Sequence, residues 1–311
     1  MKFYLAVTDN NWFSYLSHLN PDEINFWQPG GSQTFAAIEP NAPFLFKLHS
    51  PYNYIVGGGF LVRHSFLPLS LAWDSFGEKN GAPYYQTFKT QILKYRSQKG
   101  KTEIDPVIGC IILASPFFFS ESEWIPVPSD WKPNIVQGKT YDTGDLNGRS
   151  IWNQVQERLE SKKIIPDYEI IQVSEKQERY GEGYMIRPRL GQGAFRVLVT
   201  DAYQRRCAIT GEKTLPVLNA SHIKPYSQEG PHEVKNGLLL REDLHTLFDR
   251  GYLTVTKDYR VEVSKRIKED YGNGREYYAM HGRDLLVLPG NLMDQPSREF
   301  IEWHNENIFV S

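Results

Sequence analysis

The 311 residues carry 35 Lys and Arg against 37 Asp and Glu, so the net charge of −2 excludes an overall polycationic chain and leaves any nucleic-acid footprint to local patches. No run of about twenty apolar residues exists, and Met1-Lys-Phe-Tyr-Leu5 enters a strand-like pattern at once; a membrane span and a signal peptide are not expected, and a cytoplasmic location is. The two cysteines, Cys110 and Cys207, sit far apart among apolar neighbours and read as buried reduced thiols in a chain long enough for two domains.

Residues 1 to 135 are rich in aromatics, Gly and Pro, with strand-like runs at Phe3–Val7, Phe44–Leu48, Tyr54–Val62 and Val107–Leu113. Gly57-Gly-Gly59 interrupts one run, as a bulge or a close backbone approach in a curved sheet would require. Helical patterns lie near Trp12–Leu19 and Tyr84–Tyr95, so this part predicts a small, strongly curved sheet or barrel with a few helices. Phe117-Phe-Phe119, Trp124 and Trp131 read as core or domain interface. From 136 to 185 the character changes: Gly138, Gly144 and Gly148 precede an amphipathic helix at Ile151–Lys162, then comes polar Ser174–Gly183. This is a connector able to pack on either side. No internal repeats occur.

The next segment carries the chemistry. Leu215–Tyr226 favours a strand stopped by Pro225; Pro231, Asn236 and Gly237 punctuate a loop; Leu238-Leu-Leu240 suits a second strand. Leu244, Leu247 and Phe248 then recur at helical spacing from Arg241 to Asp249, and Gly251 stops the helix. On that helix His245 and Asp249 lie one turn apart on one face, close enough to share an ion. A neutral imidazole at His222, with an ordinary pKa near 6.5, can take a proton from water at physiological pH. A divalent ion at His245 and Asp249 would neutralise charge on a phosphate, and the mixed N/O shell with open positions fits the Mg2+ or Mn2+ class. The amide of Asn236 can hold the loop beyond the His222 strand. Either histidine alone reads better as a satisfied core or surface side chain, but Asn236 and the His245–Asp249 pair in register with His222 favour a site. Asp249 has an alternative use as a cap of the turn before Gly251. His232 reads as a solvated loop residue, and His281 and His304 have no partners at useful spacing.

Cys207-Ala-Ile-Thr-Gly211, Ala220-Ser-His-Ile-Lys-Pro225, Asn236-Gly-Leu-Leu-Leu240 and Leu244-His-Thr-Leu-Phe-Asp-Arg-Gly251 closely resemble the HNH (ββα-metal) endonucleases, especially restriction-type members. The resemblance spans residues 185 to 265 and implies His222 as general base, Asn236 as structural and His245 as metal ligand. Two departures stand out. Ser221 occupies a position that is often a metal ligand in the family, and Cys207 lacks the companions of a zinc site, so no structural zinc is expected. Arg187, Arg189, Arg196, Arg205 and Arg206 ahead of the motif, and Lys265, Arg266 and Lys268 after it, supply local positive charge.

The N-terminal segments Phe3-Tyr-Leu-Ala-Val-Thr8 with Asn11-Trp12, Asn25-Phe-Trp-Gln-Pro-Gly30, Phe44-Leu-Phe-Lys-Leu48, Gly57-Gly-Gly-Phe60 and Ala72-Trp-Asp-Ser-Phe-Gly-Glu-Lys-Asn-Gly81 resemble an EVE domain, a PUA-like barrel. That resemblance implies a pocket for a modified base flipped out of nucleic acid, where aromatic faces replace lost stacking at about 1–3 kcal/mol per base. Trp27 and Trp73 are the first candidates for its walls and Trp12 the third; each has core packing as its alternative. The expected fold class is α+β, with an EVE (PUA-like) curved β-barrel and helices at 1–140, a connector with a helix at 141–185 and a ββα-metal HNH nuclease domain at 186–311. The two resemblances together imply a modification-dependent, type IV-like restriction endonuclease cutting double-stranded DNA that carries 5-methyl- or 5-hydroxymethylcytosine. One such site cuts one strand, so a homodimer is expected. An RNA-directed HNH nuclease and a non-catalytic reader of modified nucleic acid are the alternatives.

Overall fold

The computed structural model describes residues 1–96, 103–161 and 189–311, and the backbone of 168–170 and 186–188. Polar Ser174–Gly183, most of the expected connector tail and the Arg187 side chain lie outside the described residues. The chain divides into two compact units, Met1–Gly191 and Gln192–Ser311. Among the described residues no helix is long and apolar enough to cross a membrane.

The first unit is built on one seven-stranded sheet. Its strands are β1 (Lys2–Thr8), β2 (Glu23–Gln28), β3 (Pro43–Leu48), β4 (Tyr54–Pro68), β5 (Val107–Phe118), β6 (Ile125–Pro126) and β7 (Gly138–Asp142), in the order β2-β5-β4-β3-β1-β7, with β6 beside the start of β4. All neighbours are antiparallel except β1 and β3. Four helices accompany it: α1 (Asn10–Leu19), α2 (Leu69–Phe76), α3 (Tyr85–Arg96) and α4 (Leu146–Ser161). A short antiparallel pair, β8 (Tyr168–Ile170) with β9 (Ile186–Pro188), completes the described backbone.

The expected barrel does not close: among the described residues β2 pairs only with β5 and β7 only with β1, leaving an open α+β sheet. Burial explains this. Alternate residues of β1 and β3 feed two separate cores, with Phe3, Leu5 and Leu45 on one face and Ala6, Phe44, Phe46 and Leu48 on the other. Ile151 and Val155 of α4 cover the first face; Trp12, Phe13 and Leu16 of α1 cover the second. Helices on both faces bury the apolar side chains without the sheet wrapping round on itself. The glycine run does interrupt β4, where the register against β5 shifts between Gly58 and Phe60 and again between Leu61 and Arg63. The expected connector helix thus packs in the first unit.

The second unit contains α5 (Gln192–Ala202), β10 (Leu218–His222), β11 (Gly237–Arg241), α6 (Glu242–Asp249), β12 (Leu253–Val255), β13 (Val261–Val263), α7 (Arg266–Tyr271), α8 (Arg275–Tyr278) and α9 (Arg298–Asn307). The first predicted strand is shorter than its β-favouring run. Leu215–Val217 is a 3-10 turn, since Pro216 offers no N–H to a ladder, and the strand ends at His222. β10 and β11 pair antiparallel, and one core gathers Phe195 and Val199 of α5, Tyr203 just beyond it, Leu238–Leu240 of β11, Leu244 and Phe248 of α6, and Ile301 of α9. Packing between helices makes β11 a continuously buried strand rather than an alternating one.

Candidate functional site

His222 closes β10 opposite Gly237, the first residue of β11. A Cβ at Gly237 would lie 2.4 Å from Val199 and 3.1 Å from Phe195, so only glycine lets α5 approach closely enough to slide the Phe195 ring against the imidazole. The two rings stack at 3.9 Å with planes 13° apart. Asn236, fully buried, clamps the chain beyond His222: its Oδ1 accepts from Lys224 N, and its Nδ2 donates to the carbonyls of Lys224 and Pro231, each at 2.9 Å. Every polar atom of that amide is used on backbone, which holds the loop from both ends.

α6 starts directly after β11 and presents His245 and Asp249 one turn apart, with Nε2 and Oδ2 at 3.2 Å. The helix ends through backbone bonds, from Arg250 N to Thr246 O and from Gly251 N to Phe248 O, with Gly251 in the left-handed region at φ 75°. The Asp249 carboxylate is therefore turned to His245 rather than spent on the turn. His222, Tyr226, His245, Asp249 and His304 line one cavity of about 330 Å3.

Burial, then the neighbouring His232 and His245, lower the His222 pKa to about 4 against the opposing pull of Asp249. The imidazole is neutral at physiological pH. Its Nε2 lies 2.9 Å from Nδ1 of His232, whose ring stacks on Tyr226 at 4.5 Å and 8°. The solvated-loop reading of His232 is therefore replaced: the residue is half-buried, because the Asn236 bond to Pro231 O pins the backbone just before it.

His304 has no partner at useful sequence spacing, yet it forms part of the cavity wall. It is buried on α9, stacks on Phe248 at 3.8 Å, places Nε2 3.1 Å from Phe248 O and Nδ1 2.8 Å from Thr254 Oγ1, and burial lowers its pKa to about 4. Those partners are 50 and 56 residues away, beyond any local signal. His281 Nδ1 accepts from Val263 N, a structural bond.

Among the described residues no group of three His, Cys, Asp or Glu side chains converges on one point. The His245–Asp249 pair supplies two donors whose 3.2 Å separation is near the ~3.0 Å spanned by adjacent ligands of an octahedral ion with bonds of ~2.1 Å. Ser221 does not add a third. It is fully buried, and its Oγ finds no hydrogen-bond partner among the described residues. Of the basic residues flanking the motif, Arg205 pairs with Asp201, and Arg266 with Glu269 and Asp270, so part of that charge is neutralised locally.

Residues 207–256 match the family model of the HNH endonucleases. This segment is an HNH endonuclease domain. Its chemistry is phosphodiester hydrolysis, and it supplies His222, His245 and Asp249 to the cavity whose wall His304 completes from α9. Among solved structures about half of the chain is similar to a variant of the ZmASCH protein from Zymomonas mobilis (TM-score 0.32, 9% identity, covering 52% of this chain and 98% of that one). It is also similar to the modification-dependent TagI restriction endonuclease (TM-score 0.28, 15% identity, covering 93% of this chain and 78% of that one). Both overlaps are too loose to carry an argument. No curated protein matches the chain.

The first unit holds a second cavity, of about 400 Å3, walled by Trp12, Phe26, Trp27 and Tyr95 with Asp9 at its edge. Trp27 donates Nε1–H to Asn80 O at 3.0 Å and meets Tyr95 at 6.0 Å. Trp12 is almost fully buried and edge-on to Phe26 and Phe46. Trp73 is not among the lining residues. It packs on Tyr85 and Phe88, and Phe88 also meets Trp27, so one ring lies in contact with both tryptophans. Two of the three expected tryptophans thus share a cavity. Phe26 and Tyr95 were missed; the helical spacing of Phe88, Ile92 and Tyr95 marks one face of α3 but not what that face meets. Asp9 caps α1, accepting from Asn11 N and Trp12 N, and burial together with Asp9 raises the Tyr95 pKa.

Proposed function

We propose that this protein is a modification-dependent, type IV-like restriction endonuclease that hydrolyses one strand of double-stranded DNA per site and acts as a homodimer in the cytoplasm. The observation that carries the catalytic part is the single cavity bearing a neutral imidazole at His222 and the His245–Asp249 pair. His222 takes the proton of a water that attacks phosphorus; the water's oxygen bonds to phosphorus as the bond to the leaving oxygen breaks. Asn236 keeps the backbone beyond His222 in place. His245 and Asp249 would hold a divalent ion of the Mg2+ or Mn2+ class, which supplies charge neutralisation at the phosphate and the leaving oxygen. The first unit is read as an EVE-type, PUA-like module that receives a flipped 5-methyl- or 5-hydroxymethylcytosine in its aromatic cavity. Its size supports this, about 400 Å3 against the ~300–1,000 Å3 of small-molecule pockets. In that reading Trp27 and Trp12 are walls, and Trp73 supports Phe88 from outside.

The test uses matched methylated and unmethylated duplexes with Mg2+ or Mn2+, and structured RNA as competitor. Preferential cutting of the methylated duplex supports the proposal. Equal cutting of both removes modification dependence, and RNA preference changes the substrate class. Binding without nicking under any divalent ion leaves a reader alone.

A further inference from the structure

The HNH site contains a second imidazole that its reaction does not obviously need. An imidazole serves as base only through the nitrogen that bears a lone pair, and a neutral ring has one such nitrogen. His222 Nε2 meets His232 Nδ1 at 2.9 Å, and Nδ1 of His222 makes no hydrogen bond to any described residue. One proton lies between the two rings. If His232 held it, His222 would be protonated on Nδ1 and would have no lone pair left for water. If His222 holds it, Nδ1 is bare, on a ring that lines the cavity.

We propose that His232 is a positioning residue for hydrolysis, accepting the Nε2–H of His222 on its own Nδ1 and so keeping the His222 lone pair on Nδ1, where water is deprotonated. This rests on reading His222 as the base. Both rings are held for the task. Phe195 stacks on His222, Tyr226 stacks on His232, the two imidazoles cross at 60° with centroids 5.0 Å apart, and Asn236 pins Pro231 immediately before His232. When His222 takes up the water proton it becomes a cation still donating Nε2–H to His232 Nδ1. His232 then does for the ring what a carboxylate or carbonyl orienter does elsewhere, without adding a negative charge beside the phosphate.

Long-range 1H–15N spectra of the metal-free full chain at neutral pH read the tautomer directly. His222 is expected to be protonated on Nε2 and bare on Nδ1; protonation on Nδ1 overturns the proposal. His232→Phe keeps a ring against Tyr226 but removes the acceptor. With its fold checked by circular dichroism, it is expected to lose about 10- to 100-fold in kcat with KM little changed. His232→Asn, which can offer an amide oxygen near the lost Nδ1, is expected to recover most of that loss. Wild-type kcat in the Phe variant, with His222→Ala inactive, overturns the role of His232 alone. Cleavage by His222→Ala overturns the base assignment and the positioning role with it. Should His232→Phe fail to fold, the wild-type tautomer and the Asn variant's kcat still decide.

Discussion

Phe195 lies face to face with His222, ring centroids 3.9 Å apart, although 27 residues separate them in the chain. The benzene ring shields one face of the imidazole from water and so contributes to the burial that holds its pKa near 4. Phe195→Ala is expected to raise the His222 pKa towards 6.5 and to cost about 3–5 kcal/mol of stability, since the ring is almost wholly buried. NMR titration of the variant checks the first expectation and denaturant unfolding the second; an unmoved pKa would show that shielding comes from elsewhere.

Asn236→Ala leaves Lys224 N and the carbonyls of Lys224 and Pro231 without their partner. With each orphaned buried group costing about 1–3 kcal/mol, a loss of about 3 kcal/mol is expected. Asn236→Asp sets an acceptor against two carbonyl oxygens and is expected to be no better. Chemical denaturation of both variants measures this, and a change under about 1 kcal/mol would deny the clamp its importance.

Acid is expected to destabilise the second unit. His304 and His222 both have folded pKa values near 4, below the ordinary 6.5, so the unfolded chain binds more protons between those values. Their contribution is complete above pH 6.5 and is lost as pH falls towards 4. For buried His304 the fall from 6.5 to about 4 is equivalent to about 3 kcal/mol. Unfolding free energies at a series of pH values check it: His304→Gln should flatten the slope between pH 6.5 and 4, and an unchanged slope would contradict the assignment.

His245→Ala removes one of the two donors of the α6 pair. Calorimetric titration with Mn2+ is expected to show affinity weakened by about tenfold or more, with DNA cleavage lost. Asp249→Asn keeps the shape but lowers the charge, and should demand more metal for the same rate. Undiminished Mn2+ binding in both variants would place the ion elsewhere.

The aromatic cavity separates the tryptophans. Trp27→Ala is expected to weaken binding of a methylated duplex by about 5- to 150-fold, the equivalent of one lost stacking face at about 1–3 kcal/mol. Trp73→Ala, outside the cavity, should lower stability and leave affinity nearly unchanged. Fluorescence anisotropy with matched duplexes distinguishes the two; equal losses from both would dissolve the distinction.

Much of the local structure around His222, Asn236 and His245 was legible because its signals are local. His222, Asn236 and His245 lie within 24 residues, on a β-favouring run, a turn and a helix whose periods are properties of short stretches of chain. The His245–Asp249 spacing needs nothing beyond one helical turn. In the first unit the strand runs and glycine interruption were readable for the same reason, as were α1, α3 and α4.

Tertiary structure decided the rest. Strand periodicity marks which residues are apolar but not whether the last strand meets the first, so the barrel was expected and an open sheet covered on both faces was found. His232 joins His222 through a turn whose path Asn236 sets, and His304 reaches the cavity through partners 50 and 56 residues away. Phe195, Phe26 and Tyr95 likewise gain their roles from what they touch. Helix, strand and turn preferences act over a few residues and can be read from order alone. The neighbours that set a lone pair, a pKa or a cavity wall are chosen by close packing of distant segments, which no short stretch of sequence specifies.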